Sequence, residues 1–407
     1  MGGIMPQQYK IALVKQGPYN GGGVSSVCWF LYQMISSVER YDVQLLSLET
    51  AYNNPINVRL LSPKSWFRGV QIIEYTWHNI PAKHVGARFS ELEFQRYMPC
   101  RPLTDLLNQF DLVQVVAGGP ATANVVRNVA KPVCLFMATL VRLERKSILQ
   151  KANFPRKVYG HMMLPIVSRV ERQALNRVDH VFAETEYTRQ AILPYVDASK
   201  VSIDTIGVDT QQFRPISEEQ RTNDYILSVG RFADARKNIA MLFEAYALLR
   251  QRMPEAPRLI LAGKTAPLHA AWARAKELDN AEHIVVKKDV SFDELVALYQ
   301  NASVYVLSSD EEGLGIVLLE SMACATPVIS TRCGGPASVV SAKTGFLTPV
   351  GDAQRLAERL LWMLQNPEQR RNMGQAGRQM VESRFSNEVV GKKYLDVYDK
   401  LLGVDIS

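Results

Sequence analysis

The chain has 407 residues, of which 47% are hydrophobic and 21% charged, and it carries a formal net charge of +7. That length exceeds what one hydrophobic core usually serves, so two domains are expected, and the composition is that of an ordinary globular protein. No apolar run reaches about 18 residues and no basic-then-apolar leader opens the chain, which points to a cytosolic location. Five cysteines, Cys28, Cys100, Cys134, Cys324 and Cys333, include no C-x-x-C pair and fit reduced thiols better than disulfides or zinc. Cys28, Cys134 and Cys324 stand in apolar context and read as core.

Lys10 to Val14 reads as a short strand, followed by the glycine cluster Gln16 to Gly23 and a helical run through Met34. Glycines between a strand and a helix let backbone approach a ligand closely. The match to G-x-G-x-x-G is poor and no acidic residue stands where a dinucleotide ribose would need one, so NAD binding is rejected. Val43 to Leu46, Val70 to Glu74, Leu112 to Val116 and Val133 to Phe136 read as further strands, separated by helix-like stretches such as Arg101 to Phe110. This alternation is that of a parallel sheet with helices on both faces.

Arg142 to Arg177 is the most basic part of the chain, with nine cations against Glu144 and Glu171. Tyr159, Met162, Met163, Leu164, Ile166 and Val167 are interleaved, a pattern that suits either a helix lying on an anionic membrane or a solvated charged face over core contacts. No nucleic-acid-binding module accompanies the charge, so no nucleic-acid partner is expected. Val178 to Glu184 is another strand-like run, and the polar stretch Ser217 to Asn223 reads as an interdomain linker.

The second half alternates in the same way. Strands are expected at Tyr225 to Val229, Leu259 to Gly263, Ile284 to Lys288, Val304 to Leu307 and Val328 to Ser330, with helices from Ala353 onward broken near Asn366-Pro367 and Phe385-Ser386. After Leu307 comes SSDEEGLGIVLLESMACATPVIS, a polar loop with Asp310, Glu311 and Glu312 that turns at Gly313 and Gly315 into a helix stopped by Pro327. Glu312 and Glu320 are eight positions apart, and at 1.5 Å per residue Glu320 stands within roughly 10 Å of the helix start. One extended ligand could touch both, and the N–H groups of Gly313, Leu314, Gly315 and Ile316 between them form a seat for phosphate oxygens.

Glu312, seven intervening residues and Glu320, set in EGLGIVLLESMA and followed by PVI, resemble the Glu-x7-Glu signature of family-four retaining glycosyltransferases. The segment Gly230-Arg231 to Lys237-Asn238 resembles that family's G-R-x-x-x-x-K-(G/N), and Gly207-Val208-Asp209 with Phe213-Arg214-Pro215 resembles the stretch before its second domain. The resemblance implies an α/β fold of two Rossmann-like, doubly wound domains facing a cleft, the glycosyltransferase B arrangement. It places the acceptor-side domain over residues 1–215, the nucleotide-sugar-binding domain over 216–385, and 386–407 back on the first domain. It implies transfer of a sugar from a nucleoside diphosphate sugar, a UDP-sugar such as UDP-glucose, to an acceptor hydroxyl in polysaccharide, glycolipid or glycoconjugate synthesis.

Within that resemblance Arg231 and Lys237 hold the donor diphosphate, Glu312 and the amides of Gly313, Leu314, Gly315 and Ile316 hold donor sugar hydroxyls, and Glu320 holds the ribose diol. Lys288, at a strand end, falls where relatives contact the base, and Gly22 and Gly23 belong to a glycine loop on the cleft. Fixed Arg and Lys donors can stabilise a leaving diphosphate without a metal, and the chain contains no Asp-x-Asp, so neither metal nor cofactor is expected. Where relatives carry a histidine after the strand near Leu135, this chain reads Met137-Ala138-Thr139, which leaves the acceptor-side catalytic partner unnamed. The partners implied are the nucleotide-sugar donor, a carbohydrate or lipid-linked acceptor, and the inner membrane face at the basic stretch. A nucleotide-sugar epimerase on the same frame and a non-catalytic nucleotide-sugar-binding protein are the alternatives.

Overall fold

The computed structural model describes residues 8–18, 23–145, 154–221, 224–278 and 280–404. Their contacts divide into two units, one running to Ile206 and resuming at Val390, the other Gly207–Val389. The division lies ahead of the polar stretch 217–223 because Val208 and Phe213 are already part of the second unit's core.

The strands of the first unit are β1 (Tyr9–Gln16), β2 (Tyr41–Leu48), β3 (Ile72–Trp77), β4 (Ile80–Val85), β5 (Leu112–Ala117), β6 (Val133–Met137), β7 (His180–Ala183) and β8 (Val201–Ile203), in the sheet order β3-β4-β2-β1-β5-β6-β7-β8. Helices α1 (Gly23–Ser36), α2 (Pro63–Arg68), α3 (Arg101–Leu107), α4 (Phe154–Leu175) and α5 (Glu186–Ile192) lie between them in sequence. Ala12 and Val14 of β1 enter one core with Leu46, Val113, Val115 and the α3 residues Leu103 and Leu107. Ile11 and Leu13, which alternate with them, are also fully buried, so β1 is covered on both faces and reads as a continuous apolar run.

One expectation fails here. The strand expected at Val70 to Glu74 is Ile72–Trp77, and it pairs antiparallel with β4 in an otherwise parallel sheet. The two strands are joined through His78 and Asn79, both at positive φ (49° and 63°), as a two-residue hairpin turn requires. Without a glycine that turn carries no strong sequence signal, and Pro81 and Lys83 disguise β4 as a loop.

The second unit holds β9 (Tyr225–Arg231), β10 (Arg258–Thr265), β11 (Ile284–Lys288), β12 (Val304–Leu307), β13 (Val328–Thr331) and β14 (Gly345–Thr348), all parallel, in the order β11-β10-β9-β12-β13-β14. Its helices are α6 (Ile239–Arg252), α7 (His269–Glu277), α8 (Phe292–Asn301), α9 (Ile316–Ala323), α10 (Ala353–Gln365) and α11 (Pro367–Arg384). Tyr305 and Leu307 of β12 pack with Leu318, Leu319 and Met322 on one face of the sheet, and Val304 and Val306 pack with Leu242, Phe243 and Leu356 on the other. The chain lays β10 and β11 to one side of β9 and then β12 to the other. The order therefore reverses between β9 and β12, and the carboxyl ends of these two strands are the usual ligand position in doubly wound sheets.

The last helix, α12 (Asn387–Leu402), contributes its residues from Val390 to the first unit. Tyr394 donates to the carbonyls of Asp204 and Thr205, both at 3.2 Å, and Tyr398 donates to Gln114 at 2.8 Å. Asp399 accepts two hydrogen bonds from the Arg40 guanidinium, at 2.9 and 2.7 Å, and one from the Tyr41 hydroxyl.

Candidate active site

The loops after β9 and β12 are laced together. Past Arg231 the chain makes a short turn capped by Asp234, whose carboxylate accepts from the Arg236 N–H at 3.0 Å and from the Arg236 guanidinium at 2.8 Å. Lys237 then ends the turn, and Asn238, at φ 44°, opens α6. From the β12 side, Ser308 Oγ donates to the Lys237 carbonyl at 2.8 Å and the Asp310 N–H donates to the Arg236 carbonyl at 2.7 Å. Asn238 Nδ2 completes the lacing by donating to Asp310 Oδ1 at 2.7 Å.

This framework presents Lys237 directly to Glu312, where the ammonium and Oε1 form an ion pair. Ser309 Oγ donates to the same oxygen at 2.6 Å. The two charged side chains are 17% and 16% exposed, sheltered enough for the pairing to count yet open to a ligand that would compete for the ammonium. Glu312 is fixed from behind as well: its N–H donates to Cys333 at 3.0 Å and its carbonyl accepts from Gly335 at 3.2 Å. A Cβ on Gly335 would sit 1.5 Å from the Gly313 carbonyl oxygen, so the loops after β12 and β13 meet with no room between them. Gly315, at φ 79°, turns the chain into α9, leaving the first N–H groups of that helix without partners inside it.

Glu320 lies on α9, half-buried, and accepts from the Tyr299 hydroxyl at 2.7 Å. Burial pushes its pKa above the ordinary carboxyl value, against the Tyr299 hydrogen bond, which favours the ionised form. Arg231 is exposed at the end of β9, with one approach of 3.8 Å to Asp234. Lys288 is exposed at the end of β11, on the same carboxyl edge of the sheet but two strands from β9. The structure thus joins Lys237 with Glu312, sets Arg231 at the same strand end, and leaves Lys288 apart. Gly23 begins α1 in the first unit, with open space where a Cβ would stand, whereas Gly22 lies outside the described residues.

The first unit has a cavity of about 420 Å³ at the carboxyl ends of β1 and β2, lined by Gln16, Glu49, Thr50, Arg96, Tyr97 and Thr122 among others. Glu49 accepts from the N–H groups of Thr50 and Ala51 at 2.7 and 2.6 Å, from Asn54, and meets His84 Nε2 at 3.0 Å. Burial alone would raise its pKa, but His84 and the loop N–H groups outweigh burial and hold the carboxyl below its ordinary value. Glu171 of α4 is the opposite case. It is buried, accepts from the Val141 N–H at 2.9 Å, and its pKa is pushed up to about 7 by burial, against that N–H and Arg142.

Sequence reasoning named the charged residues of the second unit and not the groups that hold them. Ser309 and Asp310 stand in the polar loop already singled out, but nothing in the sequence gives them their bonds to Glu312 and Asn238, and Tyr299 lies outside every motif. Asn238 was in view only as the last letter of one motif; its side-chain bond to Asp310 has no local signal. Among the described residues no group of three or more His, Cys, Asp or Glu side chains is placed to hold a metal.

Residues 209–380 match the family model described as glycosyl transferases group 1. The chain is 30% identical to D-inositol 3-phosphate glycosyltransferase of Corynebacterium urealyticum over 57% of its own length and 59% of that protein. It is 31% identical to GDP-mannose-dependent alpha-(1-6)-phosphatidylinositol monomannoside mannosyltransferase of Mycolicibacterium smegmatis, over 54% of its length and 62% of that protein. The chain spans about three fifths of the length of these curated relatives. Among solved structures, sucrose-phosphate synthase of Thermosynechococcus elongatus superposes with a TM-score of 0.73 at 20% identity, covering 98% of this chain and all of that one. Two Rossmann-like units of the glycosyltransferase B fold are therefore what the chain forms.

Proposed function

We propose, from the match of residues 209–380 to the group 1 glycosyl transferases, that the chain moves a sugar from a nucleoside diphosphate sugar to an acceptor hydroxyl with retention at the anomeric carbon. The observation that carries this reading is the convergence of Lys237, Glu312, Arg231 and the start of α9 on the strand-order reversal of the second unit. As the glycosidic bond breaks, negative charge grows on the leaving diphosphate. Lys237 and Arg231 offer cationic donors to that charge, and the α9 N–H groups add a third source of positive potential. Lys237 trades its contact with Glu312 for the phosphate, which frees Glu312 to accept from donor sugar hydroxyls. Glu320, as a carboxylate, accepts from the ribose diol. The charge is neutralised by side chains, so the reaction proceeds without a divalent metal. Retention follows from attack on the same face within an oxocarbenium-like ion pair.

The acceptor takes the first unit, where the cavity at Gln16 and Glu49 offers hydroxyl, amide and guanidinium groups. Peripheral contact with an anionic membrane has support in α4, where Phe154, Val158, Met162 and Ile166 recur every four residues and are exposed beside Lys157. Leu164 packs inward instead, and Arg145 is paired with Glu93, so part of the basic stretch serves the fold. Residues 146–153 of that stretch lie outside the described residues. Among the described residues no helix is long and apolar enough to cross a membrane.

The test is a donor screen with UDP-glucose, other UDP-sugars and GDP-mannose, the donor for which one relative is named. Diphosphate release from one donor without acceptor, accelerated by acceptor, is the expected result; a UDP-sugar is the donor proposed. Conversion of the donor sugar with no diphosphate release would make the chain an epimerase, and no turnover of any donor would end the transferase reading.

A further inference from the structure

Residues 50–71 leave β2 at its carboxyl end, beside the cavity that Glu49 and Thr50 line, and run out to the short helix α2 before returning into the edge strand β3. At the outer end of this excursion Leu61 is 97% exposed and Phe67 94%, with Trp66 at 54%. Single exposed apolar side chains are ordinary, but three large ones within seven residues, two of them almost wholly in water, form a patch that calls for a partner.

The tip is built to hold them there. Ser65 Oγ donates to the Ser62 carbonyl at 2.6 Å and accepts from the Arg59 N–H at 2.9 Å. Trp66 Nε1 donates to the Arg59 carbonyl at 2.7 Å, and its ring meets Phe89 edge-on at 6.1 Å. Arg68 donates to the Pro55 carbonyl, and Gly69, at φ 71°, ends the helix with its N–H on the Ser65 carbonyl at 3.0 Å. Leu61 and Phe67 are therefore displayed by a fastened loop.

Charge selects the partner. Between Glu49 and Glu74 the only charged residues are Arg59, Lys64 and Arg68, all cationic; Arg59 meets the Glu91 carboxylate at 3.7 Å, so Lys64 and Arg68 carry the net charge of the tip. A second copy of the tip would bring like charges together. A protein partner would need about 800 Å² on each side for a stable interface, far more than three side chains supply. A bilayer needs only what the tip has: aliphatic and aromatic groups that enter the acyl boundary, an indole at headgroup depth, and cations beside anionic headgroups.

We propose that the Leu61, Trp66 and Phe67 tip docks the first unit onto an anionic lipid bilayer, through the excursion whose first residue, Thr50, lines the acceptor-side cavity. The docking is separate from the α4 face, and it deepens the proposed function by making the acceptor one that is anchored in lipid; only that last consequence rests on the transferase reading.

The test is co-flotation of the full chain with vesicles of phosphatidylcholine alone and of phosphatidylcholine mixed with phosphatidylglycerol. The parent chain floats with the anionic vesicles and not with the neutral ones. Leu61→Ser with Phe67→Ser, at positions too exposed to matter for folding, lowers the bound fraction by at least about tenfold. Lys64→Gln lowers it less, and Phe154→Ser with Met162→Ser leaves the tip's share in place. A parent that stays unbound, a tip variant that floats like the parent, or equal flotation with neutral vesicles would overturn the proposal. So would a dimer of the parent in light scattering that the tip variant loses, since a second copy would then be the occupant. Donor hydrolysis without acceptor is the same in parent and tip variant; if the parent has none, the transferase reading fails while flotation still decides the docking.

Discussion

Both units reverse their strand order beside their first strand, but they hold the charged groups at that edge in opposite ways. In the second unit Lys237 and Glu312 come from two different loops, answer each other, and keep partial access to solvent. In the first unit Glu49 spends its carboxylate on its own loop and on His84, and Glu171 is sealed in with one N–H. The lesson is about availability. A carboxylate whose acceptor positions are filled by protein shapes a loop, whereas a pair that a ligand can separate is able to act on that ligand. Each prediction below breaks one side of this contrast.

The largest effect should come from Gly335→Ala. The added Cβ meets a backbone oxygen of Gly313 rather than a side chain that could turn away, so the loops after β12 and β13 must part. A cost of about 4 kcal/mol, in the exceptional range for one substitution, is expected, with loss of all donor turnover. Thermal unfolding and donor hydrolysis measured together check this, and a variant with parental melting and activity would show that the loops are not locked.

Glu171→Gln tests the sealed side. The folded-state pKa of about 7 stands above the ordinary carboxyl value of 4.5, so the native chain keeps a proton that the unfolded chain releases. The stabilising effect of that proton is complete below the unfolded value and fades as pH rises through the folded one, a loss of up to about 3 kcal/mol. Glutamine keeps an oxygen for the Val141 N–H and cannot ionise. The variant should therefore melt above the parent at alkaline pH and show a flatter stability curve between the two pKa values, as denaturant titrations across pH will show.

Lys237→Ala tests the available side. On the proposed mechanism its interaction with the donor grows as charge develops, so the turnover number should fall by on the order of 10²-fold while intact donor binds nearly as before. Removing the lysine also leaves Glu312 without its cation, and Lys237→Ala with Glu312→Gln should fold better than the lysine variant alone. Steady-state kinetics with the donor found by the screen decide it: a turnover number equal to the parent's would remove Lys237 from the reaction.

The same contrast governs what was legible in the sequence. Lys237, Glu312, Gly315 and Glu320 were readable because the family resemblance gathers them into two short segments, each beyond a strand end. Their strand-loop-helix setting was also plain from the apolar run Val304 to Leu307 and the stop at Pro327. The first unit assembles its edge from Glu49, His84 and Glu171, scattered over more than a hundred positions, and no local pattern joins them. Phe67 and Leu61 were invisible for a related reason, since an apolar residue in sequence looks the same whether it enters a core or stands in water. β4 and the antiparallel pairing of β3 escaped because their turn is made by His78 and Asn79 rather than by glycine.

The smallest effect, and the sharpest probe of availability, is expected from Tyr299→Phe. Glu320 is pulled two ways: burial favours its neutral form and the Tyr299 hydroxyl favours the carboxylate. Deleting the hydroxyl leaves burial unopposed, so Glu320 takes up its proton at a higher pH than in the parent. In the role proposed for Glu320, protonation turns an acceptor of two ribose hydrogen bonds into a group that also donates, and donor affinity falls. The acid limb of the donor KM profile should thus move to higher pH, with KM raised about threefold at its steepest point, as one modest hydrogen bond allows. At alkaline pH, where Glu320 is ionised in both proteins, the two KM values should converge. Equal displacement at every pH would mean that Tyr299 acts by packing against α9 alone, and a limb that moves to lower pH would contradict the assignment of Glu320 as the ionised acceptor.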